Sequence, residues 1–266
     1  MILLVDEKGV TYLSKAAADM HTRYGCVRAD ALAAAKPGDI LESNIGKKFR
    51  VLEPDIIDVI HKAKRGPQAV TLKDCGIIVA KTGIASQSKV VEAGTGSGLL
   101  SIFLANIVKP GKLISYEVRE DFAEIAKKNF ERFNITNIEL KLRSVYDGID
   151  EKDLDAIVLD LPEPWIVVEH ARCALRVGGY LVSYSPSITQ SKRLVDALGE
   201  DFMQETIETL ERSWNMKTVR PDTRMLGHTG FITIARFFGK GNDTHDMVQN
   251  PPDSISPQPF LFKETK

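Results

Sequence analysis

Only three cysteines, Cys26, Cys75 and Cys173, are spread along the chain, with no CxxC spacing and no neighbouring histidine pair. A disulfide framework and a structural zinc site both need closer spacing, so neither is expected and no metal is called for. A charge imbalance is missing as well: 35 basic residues stand against 36 acidic ones, for a net charge of -1. Bulk charge therefore favours neither nucleic acid nor membrane, and only local patches could do so. Long apolar runs are also absent. The opening ILLV at 2–5 gives way at once to charged residues, too short for the apolar core of a secretory signal, and no run approaches a membrane span. A cytoplasmic protein without membrane contact is expected. With 266 residues and 43% hydrophobic content, the chain can bury a full core in one or two domains.

Three segments differ in pattern. Residues 1–53 carry short β-like stretches, ILLV, VTYL and KFRVL, separated by turns such as KPGD at 36–39, with a helical period only at 29–35. A small N-terminal β domain is expected there. From Pro54 a helix is expected, with the proline in its first turn and an end near Arg65. Strand and helix patterns then alternate to residue 240, the mark of α/β architecture. The strands are SKVVEAG at 88–94, KLISYEV at 112–118, IELKL at 138–142, AIVLD at 156–160 and YLVSYS at 180–185. Helices are expected at 99–108, 120–133, 166–176 and 189–198, and ETIETLER at 205–212 and GFITIARFF at 230–238 pair at the sheet's end. The sheet should be mostly parallel with one antiparallel strand. Residues 241–266, polar with four prolines, read as a disordered tail.

EAGTGSG at 92–98 lies between the first of these strands and a helix. Gly94, Gly96 and Gly98 let the backbone turn sharply and approach a ligand, and the helix N-terminus adds free N–H donors. The spacing is GxGxG rather than the GxGxxG of dinucleotide folds, which favours a cofactor with a carboxylate and no pyrophosphate. Glu117 ends the next strand, where a carboxylate accepts hydrogen bonds from ribose hydroxyls. A third acid, for the adenine amine, is expected after the third strand. There the sequence reads RSVYD, so Arg143 and Ser144 hold the regular slot and Asp147 is a displaced candidate.

These features resemble the class I methyltransferases that use S-adenosylmethionine. DLPEPW at 160–165, SYSPSITQ at 183–190, ERSW at 211–214 and RPDTRMLGHTGF at 220–231 narrow the likeness to the tRNA adenine-N1 methyltransferases, the TrmI family. The resemblance spans about residues 37–238. It implies a Rossmann-like, mostly parallel seven-stranded sheet with a small N-terminal β domain, and S-adenosylmethionine as cofactor. It also implies a homotetramer that makes 1-methyladenosine in the T-loop of tRNA at adenine 58, with archaeal relatives that also modify adenine 57. The family's cofactor contacts fall on Gly94, Gly96, Ser97, Gly98, Leu99, Glu117, Arg119, Phe122, Asp147 and Asp160, and its catalytic pair on Asp160 and Tyr184. One departure stands out. The family often has a tyrosine or histidine three residues before an aspartate on the loop ahead of the first strand; that aspartate is Asp74, and the aromatic position holds Thr71, which cannot stack on a base.

Adenine N1 has a lone pair and no proton, so methylation there needs no base, and positive charge develops on the ring. Asp160, accepting a hydrogen bond from the exocyclic amine, would stabilise that charge, with Pro162 and Pro164 stiffening its loop. The alternative is that Asp160 only caps the helix that follows. Tyr184 would offer a face to a flipped base or else pack in the core, and Trp165 is a packing candidate. Basic stretches at 47–65 and 212–224 are phosphate-binding or merely solvated surface, and His228 lies at the site's mouth or is structural. Two other functions stay open: methylation of protein or a small molecule, and a non-catalytic RNA-binding subunit.

Overall fold

The computed structural model describes residues 1–64, 66 and 69–239; the expected tail at 241–266, and Arg65 at the expected helix end, lie outside them. In the N-terminal part, strands β1 (Ile2–Asp6), β2 (Thr11–Ser14), β3 (Met20–Thr22) and β4 (Gly25–Val27) precede a short helix α1 (Ala29–Ala34) and strands β5 (Ile40–Glu42) and β6 (Lys48–Leu52). Four of them form an antiparallel sheet in the order β2-β1-β6-β5. The alternation of β6 is strict: Phe49 and Val51 are buried while Lys48, Arg50 and Leu52 face out. Phe49 and Val51 join Ile2, Leu4, Val27 and Leu32 in a core of their own. The β3–β4 hairpin is not evident in the sequence pattern.

Helix α2 (Ile56–Lys62) follows. Pro54 stands before it rather than in its first turn, because Asp55 and Asp58 form a reciprocal capping box: Asp55 accepts from the Ile57 and Asp58 amides at 2.9 and 3.0 Å, and Asp58 accepts from the Asp55 amide at 3.1 Å. The next helix, α3 (Leu72–Thr82), has no counterpart in the sequence reading. Its interior Gly76 and the β-branched Ile77, Ile78 and Val79 are poor helix formers, so local propensity hides it. Burial of Cys75 and Ile78 against the large sheet stabilises it, and Gly83 ends it in the left-handed region, φ 66°.

From here the alternation is as the sequence suggests: β7 (Val90–Ala93), α4 (Leu99–Val108), β8 (Leu113–Glu117), α5 (Glu120–Arg132), β9 (Ile138–Leu142), β10 (Leu154–Leu159), α6 (Val168–Ala174), β11 (Leu175–Ser185), α7 (Ile188–Leu198) and β12 (Phe202–Glu208), then a two-stranded β13 (Trp214–Asn215) and β14 (Arg220–Pro221), and β15 (Phe231–Phe237). The pairing segment before β13 ends at Glu208 rather than 212, since Thr209 turns away to bond α3. The large sheet has the order β12-β15-β11-β10-β7-β8-β9, and β15 runs antiparallel to both neighbours while the rest are parallel. No helix among the described residues is long and apolar enough to cross a membrane.

The central strands are apolar on both faces because helices cover both. Val91, Ile157, Leu159 and Leu181 pack beneath α6 and α7 on one face; Val90, Val158 and Val182 pack against α3 and α4 on the other. Ala126 and Phe130 of α5 meet Leu99 and Ile102 of α4 and Val59 and Ile60 of α2. Gly98, the residue before α4, has φ 81°, and a Cβ there would lie 2.6 Å from the Phe130 ring. Helices α4 and α5 can close on each other only if residue 98 has no side chain. Gly98→Ala should therefore cost roughly 2–4 kcal/mol by combining overpacking with backbone strain, measured as a lower midpoint in urea denaturation.

Candidate active site

Parallel pairing brings the carboxyl ends of β7, β8, β10 and β11 to one edge, and the chemically interesting residues leave the strands there. The glycine loop follows β7. Its first turn is fastened to β10: the Asp160 amide donates to Ala93 O at 2.6 Å, and the Gly94 amide donates to Asp160 O at 3.5 Å. A Cβ on Gly94 would stand 3.5 Å from Leu161, 3.6 Å from Asp160 O and 3.8 Å from Glu117 Oε2, filling the space between the two acids. The far side of the loop is held by Asn129 of α5, which donates from Nδ2 to Ser97 O at 2.8 Å and brackets residue 64 through both ends of its amide. Asn129 is absent from the sequence-based site, though a buried asparagine on an amphipathic helix is a signal that could have found it.

Glu117 sits where expected, and its carboxylate already serves the loop. Oε2 accepts from the Gly96 amide and Oε1 from the Arg119 amide, each at 2.8 Å. Each oxygen retains acceptor capacity for a ribose hydroxyl. Arg119 clasps Asp121 and lies over the Phe122 ring at 4.0 Å, so these two form one side of the same edge. Beneath the loop, Glu92 is fully buried, accepts from Ser101 and Ser115 through Oε2, and has no partner for Oε1 among the described residues. Burial pushes its carboxyl up to about 7. An orphaned buried acceptor, a missing Cβ and a strand-end carboxylate beside free backbone N–H groups fit a nucleoside cofactor with a polar tail. Past β9, Arg143 turns to Asp150 at 2.6 Å and to Gly148 O, Ser144 caps a 3-10 turn, and Asp147 is exposed at the end of that turn.

Asp160 is half-buried, and its side chain makes no hydrogen bond or ion pair among the described residues. Burial alone pushes its carboxyl up to about 7. It does not cap a helix: the 3-10 turn Pro164–Val167 begins at Glu163 and α6 at Val167, neither with a side-chain cap. The DLPEPW loop is held from two sides, by Tyr146 Oη accepting from the Glu163 amide at 3.2 Å and by Gln190 Nε2 donating to Pro162 O at 2.9 Å. Trp165 packs under the Arg193 guanidinium at 3.7 Å.

Tyr184 stands beside Asp160, one step past the paired Leu159 and Ser183. Its ring is 7% exposed, and a Cβ on Gly230 would lie 2.4 Å from it, so the ring is wedged against the Gly230 backbone rather than presenting an open face. Its hydroxyl donates to Thr229 O at 2.6 Å. Burial, with the Asp74 and Asp160 charges nearby, holds that hydroxyl up at about 12 despite this bond. His228 is exposed, with Nδ1 against Glu208 at 2.5 Å and Nε2 against Pro186 O at 3.2 Å, which ties the ends of β11 and β12. Asp74 lies in the first turn of α3, fully buried, and Thr71, just before that helix, donates to its Oδ2 at 2.8 Å. Among the described residues no three His, Cys, Asp or Glu side chains gather as a metal site would require.

A mostly parallel sheet ending in a glycine loop, a strand-end acid and a carboxylate unpartnered among the described residues is the arrangement of a methyltransferase that draws its methyl group from S-adenosylmethionine. Comparison with known proteins narrows the class. The family model described as tRNA methyltransferase complex GCD14 subunit matches residues 60–230. The chain is similar, at 40% identity over 88% of its length and 94% of the other, to the tRNA (adenine(57)-N(1)/adenine(58)-N(1))-methyltransferase TrmI of Methanocaldococcus jannaschii. It is 33% identical to the tRNA (adenine(58)-N(1))-methyltransferase TrmI of Thermus thermophilus, over 88% of this chain and 96% of that one. Among solved structures, a SAM-dependent O-methyltransferase from Thermotoga maritima superposes with a TM-score of 0.82 at 31% identity, covering 91% of this chain and 94% of the other. The chain belongs to the TrmI family of tRNA (adenine-N1)-methyltransferases.

The burial of Asp160 has a measurable cost. Its folded pKa near 7 lies above the ordinary carboxylate value, so the fold prefers the protonated form and loses stability as pH rises from about 4 to 7. Asp160→Asn removes that loss. In urea titrations of the ligand-free protein at pH 8 the variant should be more stable by on the order of 2–4 kcal/mol, and the gain should shrink by more than half at pH 5. A variant less stable than wild type at pH 8 would mean that Asp160 is paired.

Proposed function

We propose that this protein methylates N1 of adenine 58 in the T-loop of tRNA, and adenine 57 where that base is present, giving 1-methyladenosine. The single observation that carries the chemistry is Asp160: a carboxylate without a partner among the described residues, on a loop pinned at both sides, at the edge where the glycine loop opens. When bound on that loop, S-adenosylmethionine supplies an electrophilic methyl group on a cationic sulfonium.

Gly94, Gly96 and Gly98, whose amides bond within the site, provide close backbone approach, Ser97 and Leu99 at the head of α4 provide N–H donors, and Glu117 holds the ribose hydroxyls. Arg119 and Phe122 flank the adenosine, and Asp147 takes its amine. Asp160 accepts a hydrogen bond from the exocyclic amine of the target adenine. That bond strengthens as positive charge develops on the ring, so it stabilises the transition state more than the ground state. No group on the protein has to remove a proton from N1. Tyr184, with its ring packed against Gly230, bounds the acceptor side beside Asp160. The modification of two adjacent adenines is supported by the likeness to the Methanocaldococcus protein, whose name carries both positions.

A homotetramer in the cytoplasm completes the proposal. Supporting it, Leu210, Trp214, Met216, Val219 and Leu226 are all more than half exposed within one short segment, more apolar surface than a monomer ordinarily leaves on a single hairpin. Arg212, Lys217, Arg220 and Arg224 in the same segment also suit phosphate contacts.

Nuclease digestion and mass spectrometry of a tRNA transcript, after incubation with protein and S-adenosylmethionine, should show 1-methyladenosine at position 58, and at 57 in a transcript with guanosine at 58. Transfer of label to protein but not to tRNA would sink the assignment. Asp160→Asn should lower kcat by about 10²-fold or more, matching ~3 kcal/mol of transition-state stabilisation. The Asp160 carboxylate must be ionised to accept the amine, so kcat/KM for tRNA should rise with pH, reach half its limit at about pH 7 and level off above that. Light scattering should give four times the chain mass, and Trp214→Glu with Met216→Glu should reduce it.

A further inference from the structure

The most densely bonded polar group at the sheet edge is one that neither the cofactor nor the base contacts just described require. Lys73, in the first turn of α3, is largely buried, and its ammonium meets Asp74 Oδ1 at 2.7 Å, Thr209 O and Thr209 Oγ1 at 2.9 Å each, and Thr229 Oγ1 at 2.7 Å. Thr209 Oγ1 also donates to Asp74 Oδ1 at 2.6 Å. These bonds hold together the first turn of α3, the exit from β12 and the entry to β15. Bonds between an ammonium and a fully buried carboxylate with hydroxyl partners are charge-assisted and short.

Thr229 is the link to the acceptor site. Its hydroxyl accepts from Lys73, and its carbonyl accepts from the Tyr184 hydroxyl at 2.6 Å. The next residue, Gly230, leaves room for the Tyr184 ring, since a Cβ there would lie 2.4 Å from it. Tyr184 in turn stands beside Asp160 on the adjacent strand. We propose that Lys73 is a positioning residue for methyl transfer: its ammonium, balanced by Asp74, fixes Thr229 and through it the place of Tyr184 beside Asp160. Thr71 belongs to the same device, since it donates to the other oxygen of Asp74. Where the family often has an aromatic side chain, this chain uses the position to lock the clamp. The proposal rests on the assignment of Asp160 and Tyr184 to the acceptor site.

The test uses the full-length protein and four variants: Lys73→Met, Thr229→Val, Tyr184→Phe and the double Lys73→Met/Tyr184→Phe. Thr229→Val removes only the hydroxyl that accepts from Lys73 and nearly keeps the side-chain shape. Lys73→Met and Thr229→Val should each lower kcat about tenfold, with the affinity for S-adenosylmethionine by calorimetry unchanged. In the Tyr184→Phe background, Lys73→Met should cost less than threefold, because the path it acts through is already cut. Independent full effects in the double variant, or unaltered kcat in both single variants, would overturn the proposal. Hydrogen exchange without substrate gives a second readout: both single variants should lose protection at 227–231, and unchanged protection there overturns the proposal by itself. A wild-type protein inactive on tRNA sinks the assignment of function instead, and the exchange result still decides the clamp.

Discussion

The parallel register of β7 between β8 and β10 is the constraint on which the rest depends. It sets Ala93 opposite both Tyr116 and Leu159, so that the chain leaves all three strands at the same height. The Asp160 amide then closes onto Ala93 O, and the glycine loop, Glu117 and Asp160 become neighbours although Gly94 and Asp160 are 66 positions apart in the sequence. A slip of one residue would turn every side chain of β7 to the opposite face and bury the wrong set.

Around that edge the structure spends polar bonds on holding the loops and leaves the carboxylates free. Asn129 grips Ser97, Tyr146 and Gln190 grip the DLPEPW loop, and Lys73 gathers the ends of β12 and β15. Among the described residues Asp160 is left without a side-chain partner, and Glu92 keeps one oxygen unbonded. Both carboxyls are pushed up to about 7 by burial. Buried acids without partners cost stability, so such a concentration at one edge is characteristic of a site that meets a ligand carrying positive charge and donors.

Much of this was legible in sequence. The strands of the large sheet announce themselves by short apolar runs, and the glycine loop by its spacing after one of them, because buried parallel strands tolerate little else. Helix α3 was not legible: Gly76 and three consecutive β-branched residues favour other local structures, and only packing of Cys75 and Ile78 on the sheet outweighs that preference. The grip of Lys73 on Thr209 and Thr229 joins residues 136 and 156 positions apart, and no periodicity encodes such a contact.

The sequence by itself determined the α/β class, the place of the cofactor loop and the likeness to adenine-N1 methyltransferases, since each is written in local pattern or in ordered motifs. Tertiary structure decided the rest. It wedged the Tyr184 ring on Gly230, freed Asp160 from any role as a helix cap, and joined two distant threonines and the nearby Thr71 to one lysine and one aspartate. These outcomes depend on which side chains the sheet brings within hydrogen-bonding distance, and distance across a sheet edge is a property of the register rather than of any neighbouring residues in the chain.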